Sequence, residues 1–190
     1  MSAVVEYPQR HAISAEEYLR MGEAGVFAPE ARLELIEGEI IEMAPIGSPH
    51  AGTVMILNRL LGRAAGDSAI VLVQSPLILG DRSVPQPDLA LLRPRVDSYT
   101  RSHPSAADVL LVIEVADTTL AFDVETKIPL YARAGVVEAW VVDLQERALR
   151  VFRDPGASGY RTRFAASGDE KVAATLLPQV AVTASALFPA

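Results

Sequence analysis

The chain has 190 residues, of which half are hydrophobic and 22% are charged, and its formal net charge is −7 at pH 7. This length and composition predict a single globular domain over residues 1–190. The absence of cysteine excludes disulfides, thiolate zinc sites and a cysteine nucleophile. The acidic balance argues against a tight nonspecific DNA binder, although it is compatible with an enzyme whose acidic centre is neutralised by cations.

We expect no targeting segment and no membrane span from this sequence. Its N-terminal "MSAVVEYPQRH" lacks a basic region followed by an apolar core, and no apolar run approaches the roughly 18 residues that a membrane helix needs. We therefore expect a cytoplasmic protein with no membrane association.

Two helices are predicted in the first third of the chain. Ser14 and Glu17 have the capping-box spacing, which predicts a helix that ends near Gly22. A helical stripe of apolar residues follows in "SPHAGTVMILNRLLGRAAG", and Gly66 is its predicted stop. His50, near the start of this second helix, would either contact substrate or cap the helix, and the cap is the favoured interpretation.

Between these helices the segment "RLELIEGEIIEM" alternates around Glu37-Gly38. This pattern predicts a hairpin in which Gly38 supplies the positive φ. Most of the acidic side chains of the hairpin are expected on a solvated face, with Glu34 as the candidate exception.

Three apolar runs then predict the centre of a sheet: "AIVLVQSPLIL", "PDLALL" and "DVLLVIEVA". Their composition is typical of strands that are covered on both faces. The Pro- and Ser-rich stretch 93–104 between the second and third runs is expected to be a surface loop.

The next segment, "LAFDVETKIPLYARAG", predicts a helix that ends at Gly135. Pro129 removes one helical hydrogen bond, so the helix either is kinked there, which we favour, or becomes regular only near Ile128. "EAWVVDL" and "ALRVFRD" predict a second strand pair, and the C-terminal residues add short strands and a final turn to the same core.

Asp88 and Glu114 stand at and within apolar strands, where a carboxylate without a partner costs several kcal/mol. Asp88 would bond local amides at a strand entry or bind a cation, and Glu114 would pair with Lys127 or share that cation. Mg²⁺ takes one or two carboxylates together with water and phosphate oxygens. A nearby lysine such as Lys127 can orient the attacking water or stabilise the developing charge.

A resemblance runs through most of the chain. It rests on "LELIEGEII", "SPHAGTV", "QPDLALL", "LVIEVAD", "DVETKIPLYARAGVVEAWVVD" and the closing "ALF". With these motifs the chain resembles the Uma-two family of putative restriction endonucleases, within the PD-(D/E)xK nuclease superfamily. The resemblance implies an α/β fold with a restriction-endonuclease-like core, in which helices flank a mixed central β-sheet.

The resemblance also implies roles for four residues. Asp88 and Glu114 would be the metal ligands, Glu34 a further acidic member of the catalytic site, and Lys127 the catalytic lysine. In the wider superfamily the lysine follows the glutamate by two residues on the same strand face, where this chain has Ala116. Lys127 is therefore expected to reach the site from the following helix.

The leading functional hypothesis is a DNA endonuclease that depends on Mg²⁺ or Mn²⁺ and hydrolyses phosphodiester bonds with metal-activated water. A homodimer is expected by analogy with nucleases that cut two strands. The first alternative is a non-catalytic dimeric interaction or DNA-binding module that keeps the nuclease fold, which Ala116 and the acidic charge favour. The second is a two-carboxylate hydrolase such as a glycosidase, which the aromatic content of 6% disfavours.

Overall fold

The computed structural model describes residues 10–188. The secondary-structure elements, in chain order, are α1 (Ala15–Glu23), β1 (Leu33–Ile36), β2 (Glu39–Glu42), α2 (Ser48–Ala65), β3 (Ile70–Val73), β4 (Leu89–Leu92), β5 (Val109–Ala116), α3 (Leu120–Phe122), a π-helical turn (Asp123–Lys127), α4 (Ile128–Arg133), β6 (Glu138–Asp143), β7 (Ala148–Gly156), β8 (Gly159–Ser167), β9 (Lys171–Ala173) and β10 (Ala181–Thr183).

The central sheet has six strands in the order β3-β4-β5-β6-β7-β8. All neighbouring pairs are antiparallel except β5 and β6, which are parallel. A parallel pair cannot be joined by a tight turn, and here α3, the π-helical turn and α4 form the crossover. The predicted mixed sheet flanked by helices is therefore confirmed.

Side-chain alternation along β5 assigns its residues to two apolar cores. Leu111 and Ile113 pack on the α2 side of the sheet, whereas Val112 and Ala116 pack on the α4 side. Because successive side chains of a strand point to opposite faces, Glu114 belongs to the α4 side. The same alternation puts the side chain of Asp88, two residues before Ala90, on that side.

The local signals at the N-terminal end are confirmed. Ser14 accepts a hydrogen bond from the Glu17 amide, and the Glu17 carboxylate accepts one from the Ser14 amide, which completes the capping box of α1. In the β1–β2 hairpin Glu37 and Gly38 have φ values of 50° and 88°. Gly66 directly follows α2, as predicted. No helix within residues 10–188 combines the length and the apolar character needed to cross a membrane.

Two predictions about the middle of the chain need correction. β3 is an edge strand with half-buried side chains, because within residues 10–188 it pairs in the sheet with β4 alone. The helical segment around Pro129 contains a π-helical turn that ends at Lys127. The regular α-helix begins at Ile128, which was the alternative prediction to a kink at the proline. The Ile128 amide donates to the Asp123 carbonyl, and Pro129 has no amide hydrogen to continue the α-helical pattern backwards.

Glu138, at the start of β6, joins three parts of the fold. Its fully buried carboxylate accepts hydrogen bonds from Trp140 Nε1 at 2.7 Å, from Arg153 Nε at 2.9 Å and from the Thr175 amide at 2.6 Å. These donors belong to β6, β7 and the C-terminal segment. The Glu138 carboxylate therefore links two neighbouring strands of the sheet to the C-terminal segment.

We expect Glu138→Ala to lower the free energy of unfolding by about 3 kcal/mol, because it leaves Arg153 and two further donors without their buried partner. Urea unfolding measures the change. Glu125→Ala, at an exposed helix position, is the matched control and should stay within about 0.5 kcal/mol of wild type. A Glu138→Ala loss no larger than that of the control would contradict this account.

Candidate active site

Four carboxylates and one lysine are buried together on the α4 side of the sheet. The carboxylates belong to Glu34, Asp88, Glu114 and Asp123, each 6% exposed or less, and the lysine is Lys127, which is 1% exposed. All five side chains line one cavity of about 60 Å³. The cluster therefore holds more acidic than basic groups in a place that little solvent reaches.

Strand pairing brings Asp88 to Glu114. β4 and β5 are antiparallel with Leu89 opposite Ile113, so Asp88 lies beside Glu114 at the end of the paired segment. The Asp88 amide is 3.4 Å from Glu114 Oε2, and both carboxylates line the cavity. The structure thus places the two predicted ligands on adjacent strands and in one polar pocket.

Glu34 enters the cluster from the hairpin. Its neighbour Leu35 pairs with Val84, through amide-to-carbonyl distances of 3.4 and 2.7 Å, in the segment that leads to Asp88. This bridge holds β1 against the central sheet. Glu34 is buried, whereas the other acidic side chains of the hairpin are exposed, so the candidate exception is confirmed. Its Oε2 atom is buried without a hydrogen-bond partner among the described residues.

Lys127 reaches the cluster from the crossover helix, as predicted. Its Nζ atom is 2.8 Å from Glu114 Oε1 and 3.2 Å from Glu34 Oε1. The π-helical turn begins at Asp123 and ends at Lys127, and both residues are buried. Ala116 is fully buried in the apolar core on this face. The contact with Glu114 is also the Lys127–Glu114 ion pair that the sequence offered as the alternative to a metal-binding role for Glu114.

Two residues of the crossover complete the surroundings of Glu114 and Asp123. The Tyr131 hydroxyl donates to Glu114 Oε1 at 2.5 Å. The Thr119 hydroxyl donates to Asp123 Oδ2 at 2.7 Å. Asp123 lies one turn before Lys127 and lines the cavity, whereas Tyr131 lies one turn after it and holds Glu114.

Asp88 is held by donors from three separate parts of the chain. Gln74 Nε2 donates to Oδ1 at 3.1 Å, whereas the Val115 amide and His50 Nε2 contact Oδ2 at 2.9 and 3.0 Å. The prediction that His50 caps α2 is wrong, because the N-cap is Gly47 and no side chain bonds the helix end. The partners of Asp88 are therefore distant in sequence rather than local amides.

The sequence did not identify Gln74 as a site residue and assigned His50 a different role. A polar residue directly after the apolar run of β3 is the only signal at Gln74, and many strands end in this way. His50 offered a somewhat better signal, since it follows Ser-Pro at a helix start and is one of only three histidines.

Burial makes two acids of the cluster bind protons more tightly than usual. Burial raises the pKa of Glu114 to about 8, against the opposing charge of Lys127. Burial likewise raises the pKa of Asp123. For Lys127, burial acts to lower the pKa, but the charges of Glu114, Glu34 and Asp123 outweigh it and the pKa is raised.

Asp88 has the opposite behaviour. Burial acts to raise its pKa, but the contact with His50, the Val115 amide and the charge of Lys127 together hold the pKa below its usual value. Asp88 is therefore ionised at neutral pH, while Glu114 competes for a proton. Asp88 thus offers an anion, whereas at Glu114 a cation would compete with a proton and with the ammonium of Lys127.

The residues present fit a divalent cation such as Mg²⁺ or Mn²⁺, although they do not form a complete protein cage. Within residues 10–188, no three acidic or histidine side chains already converge as a metal-binding group. Mg²⁺ needs only one or two carboxylates from the protein, and these side chains line a cavity of about 60 Å³. The unpartnered oxygen of Glu34 and the surplus negative charge favour a cation at this place.

A mixed sheet that presents buried acids and a lysine to one cavity defines a restriction-endonuclease-like α/β fold. The model of the Uma2 family, "Putative restriction endonuclease", matches residues 15–185. The chain therefore belongs to the Uma2 family.

Among solved structures, the fold is similar to that of a putative nuclease belonging to DUF820 from Anabaena variabilis ATCC 29413, with a TM-score of 0.70. The two chains are 18% identical, and the match covers 93% of this chain and 97% of the other. At this level of identity the likeness establishes the fold. No curated protein matches the chain.

The raised pKa of Glu114 predicts a pH-dependent stability of the metal-free protein. Because the folded-state pKa of about 8 exceeds the ordinary value of 4.5, the folded protein binds this proton more tightly than the unfolded chain does. The stabilisation is complete below the ordinary pKa and is lost as the pH rises through the folded one, by about 3 kcal/mol between pH 5 and pH 8.

Urea unfolding in EDTA across this pH range measures the effect. Glu114→Gln should flatten the decline, because the titrating group is gone, whereas Glu125→Gln at an exposed position should keep the wild-type slope. A wild-type stability that stays constant or increases from pH 5 to pH 8 would show that Glu114 is ionised throughout.

Proposed function

We propose that this protein is a DNA endonuclease that requires Mg²⁺ or Mn²⁺ and hydrolyses phosphodiester bonds with metal-activated water. Membership of a family of putative restriction endonucleases supports the proposal. The observation that carries it is the buried cluster of Glu34, Asp88, Glu114 and Lys127 around one cavity, in which carboxylates outnumber the lysine.

Asp88 and Glu114 would hold the cation, with Glu34 beside them. A bound divalent cation lowers the pKa of its water and neutralises charge on a phosphate group. Asp88 offers an ionised carboxylate whose orientation is fixed by three donors. Glu114 would give up its proton or its contact with Lys127 in exchange for the cation.

Lys127 would act on the water and the phosphate. When Glu114 turns to a cation, Glu34, which lies 3.2 Å from Nζ, would remain as the carboxylate beside the ammonium. An ammonium held beside the ligands can orient the attacking water or stabilise charge that develops on the phosphate. We further propose a homodimer, since cutting both strands of a duplex takes two such sites.

The second candidate function is a non-catalytic interaction or DNA-binding module that retains this fold. One observation favours it: the ammonium of Lys127 is already satisfied by Glu114 and Glu34, as in a structural ion pair. Cation binding separates the two candidates, because a structural pair would keep its geometry and exclude the metal.

A calorimetric Mn²⁺ titration tests the proposed ligands. Wild type should bind Mn²⁺, and Asp88→Asn should bind it at least about 10-fold more weakly, because the substitution removes one anionic ligand and keeps the shape of the side chain. Glu125→Gln removes an equal charge outside the pocket and should bind like wild type. Absence of Mn²⁺ binding by wild type would contradict the nuclease proposal.

Cleavage of duplex DNA tests Lys127. Lys127→Met keeps the apolar stem and removes the ammonium, so the cleavage rate should fall by about 100-fold or more. The affinity for Mn²⁺ should be retained, since the variant leaves every carboxylate in place. The only other lysine, Lys171, is exposed and Lys171→Met is the matched control.

The buried carboxylates of Lys127→Met lose their counter-charge, so the variant is compared with wild type in saturating Mn²⁺, and its melting temperature is measured in the same buffer. Cleavage by folded Lys127→Met at the wild-type rate would show that the ammonium takes no part in the reaction.

A further inference from the structure

Gln74 adopts a backbone conformation that a residue with a side chain rarely takes. It directly follows β3 and has a φ of 42°, in the left-handed region that favours glycine. Its amide donates to the Asp88 carbonyl at 3.1 Å, a contact that glycine would make equally well. The backbone at this position therefore gives no reason for a glutamine.

The side chain of Gln74 provides that reason. Its Nε2 atom donates to Asp88 Oδ1 at 3.1 Å, whereas the other two donors, Val115 N–H and His50 Nε2, contact Oδ2. Gln74 is thus the donor on one oxygen of a carboxylate whose other oxygen is held twice. A carboxylate fixed at both oxygens cannot rotate about the bond that joins it to its side chain.

We infer that Gln74 is a positioning residue, which keeps its strained backbone in order to hold the Asp88 carboxylate in the orientation that binds the cation. The inference rests on the proposed function for the role of Asp88. Strain of this kind is found where the surrounding structure holds it for a functional purpose. Groups that orient metal ligands through hydrogen bonds typically change affinity or activity about 10- to 100-fold when removed.

The test compares Gln74→Gly with Ser98→Gly. Ser98 also has a left-handed φ, 46°, but it is exposed and lies in the loop 93–104. Both substitutions relieve backbone strain, so the melting temperature of each metal-free variant should equal or exceed that of wild type. Only Gln74→Gly should weaken Mn²⁺ binding in a calorimetric titration, by about 10- to 100-fold.

Gln74→Asn tests the side-chain amide separately from the backbone conformation. Asparagine tolerates the left-handed region, but its amide is one methylene short of Asp88. It should therefore fold like wild type and bind Mn²⁺ as weakly as Gln74→Gly. A merely structural Gln74 would give the reverse pattern, with a lower melting temperature for Gln74→Gly and an unchanged dissociation constant.

A crystal structure of metal-free Gln74→Gly gives a second, independent readout. The Asp88 carboxylate should be rotated or should occupy more than one orientation. The inference is overturned if that carboxylate keeps its wild-type orientation. If wild type itself binds no Mn²⁺, the proposed function fails, and the orientation of Asp88 in this crystal still decides whether Gln74 positions it.

Discussion

The ammonium of Lys127 lies between the carboxylates of Glu114 and Glu34, at 2.8 and 3.2 Å, and joins the parts of the buried cluster. A buried lysine costs several kcal/mol unless carboxylates compensate it, and here they come from the central sheet and from the N-terminal hairpin. Lys127 itself comes from the crossover helix. One buried charge therefore ties three separate parts of the chain together, and in its absence the surrounding carboxylates would repel one another.

The topology of the sheet explains how a lysine far from Glu114 in sequence reaches it. β5 and β6 are parallel, so the chain must return across one face of the sheet, and the crossover lies on the face to which Glu114 points. A π-helical turn, a feature often found at functional sites, ends at Lys127 on that face. The position two residues after Glu114 is Ala116, which joins the apolar core on that face.

The sequence predicted those parts of the fold and site that depend on local pattern or on family likeness. Asp88 and Glu114 were conspicuous as acids in apolar runs, and the capping box and hairpin are contained in a few neighbouring residues. The edge position of β3 was missed, because strand order depends on distant pairings. Gln74 and His50 were missed as partners of Asp88 because their contacts join residues 14 and 38 positions apart.

The proposed divalent-cation site in this over-acidic cluster can be tested by anomalous scattering from Mn²⁺-soaked crystals. One strong peak is expected in the cavity beside the carboxylates of Asp88 and Glu114, together with a Lys127–Glu114 distance longer than the 2.8 Å described here. The absence of a peak in the cavity, with the ion pair unchanged, would contradict the account and favour a structural role for the cluster.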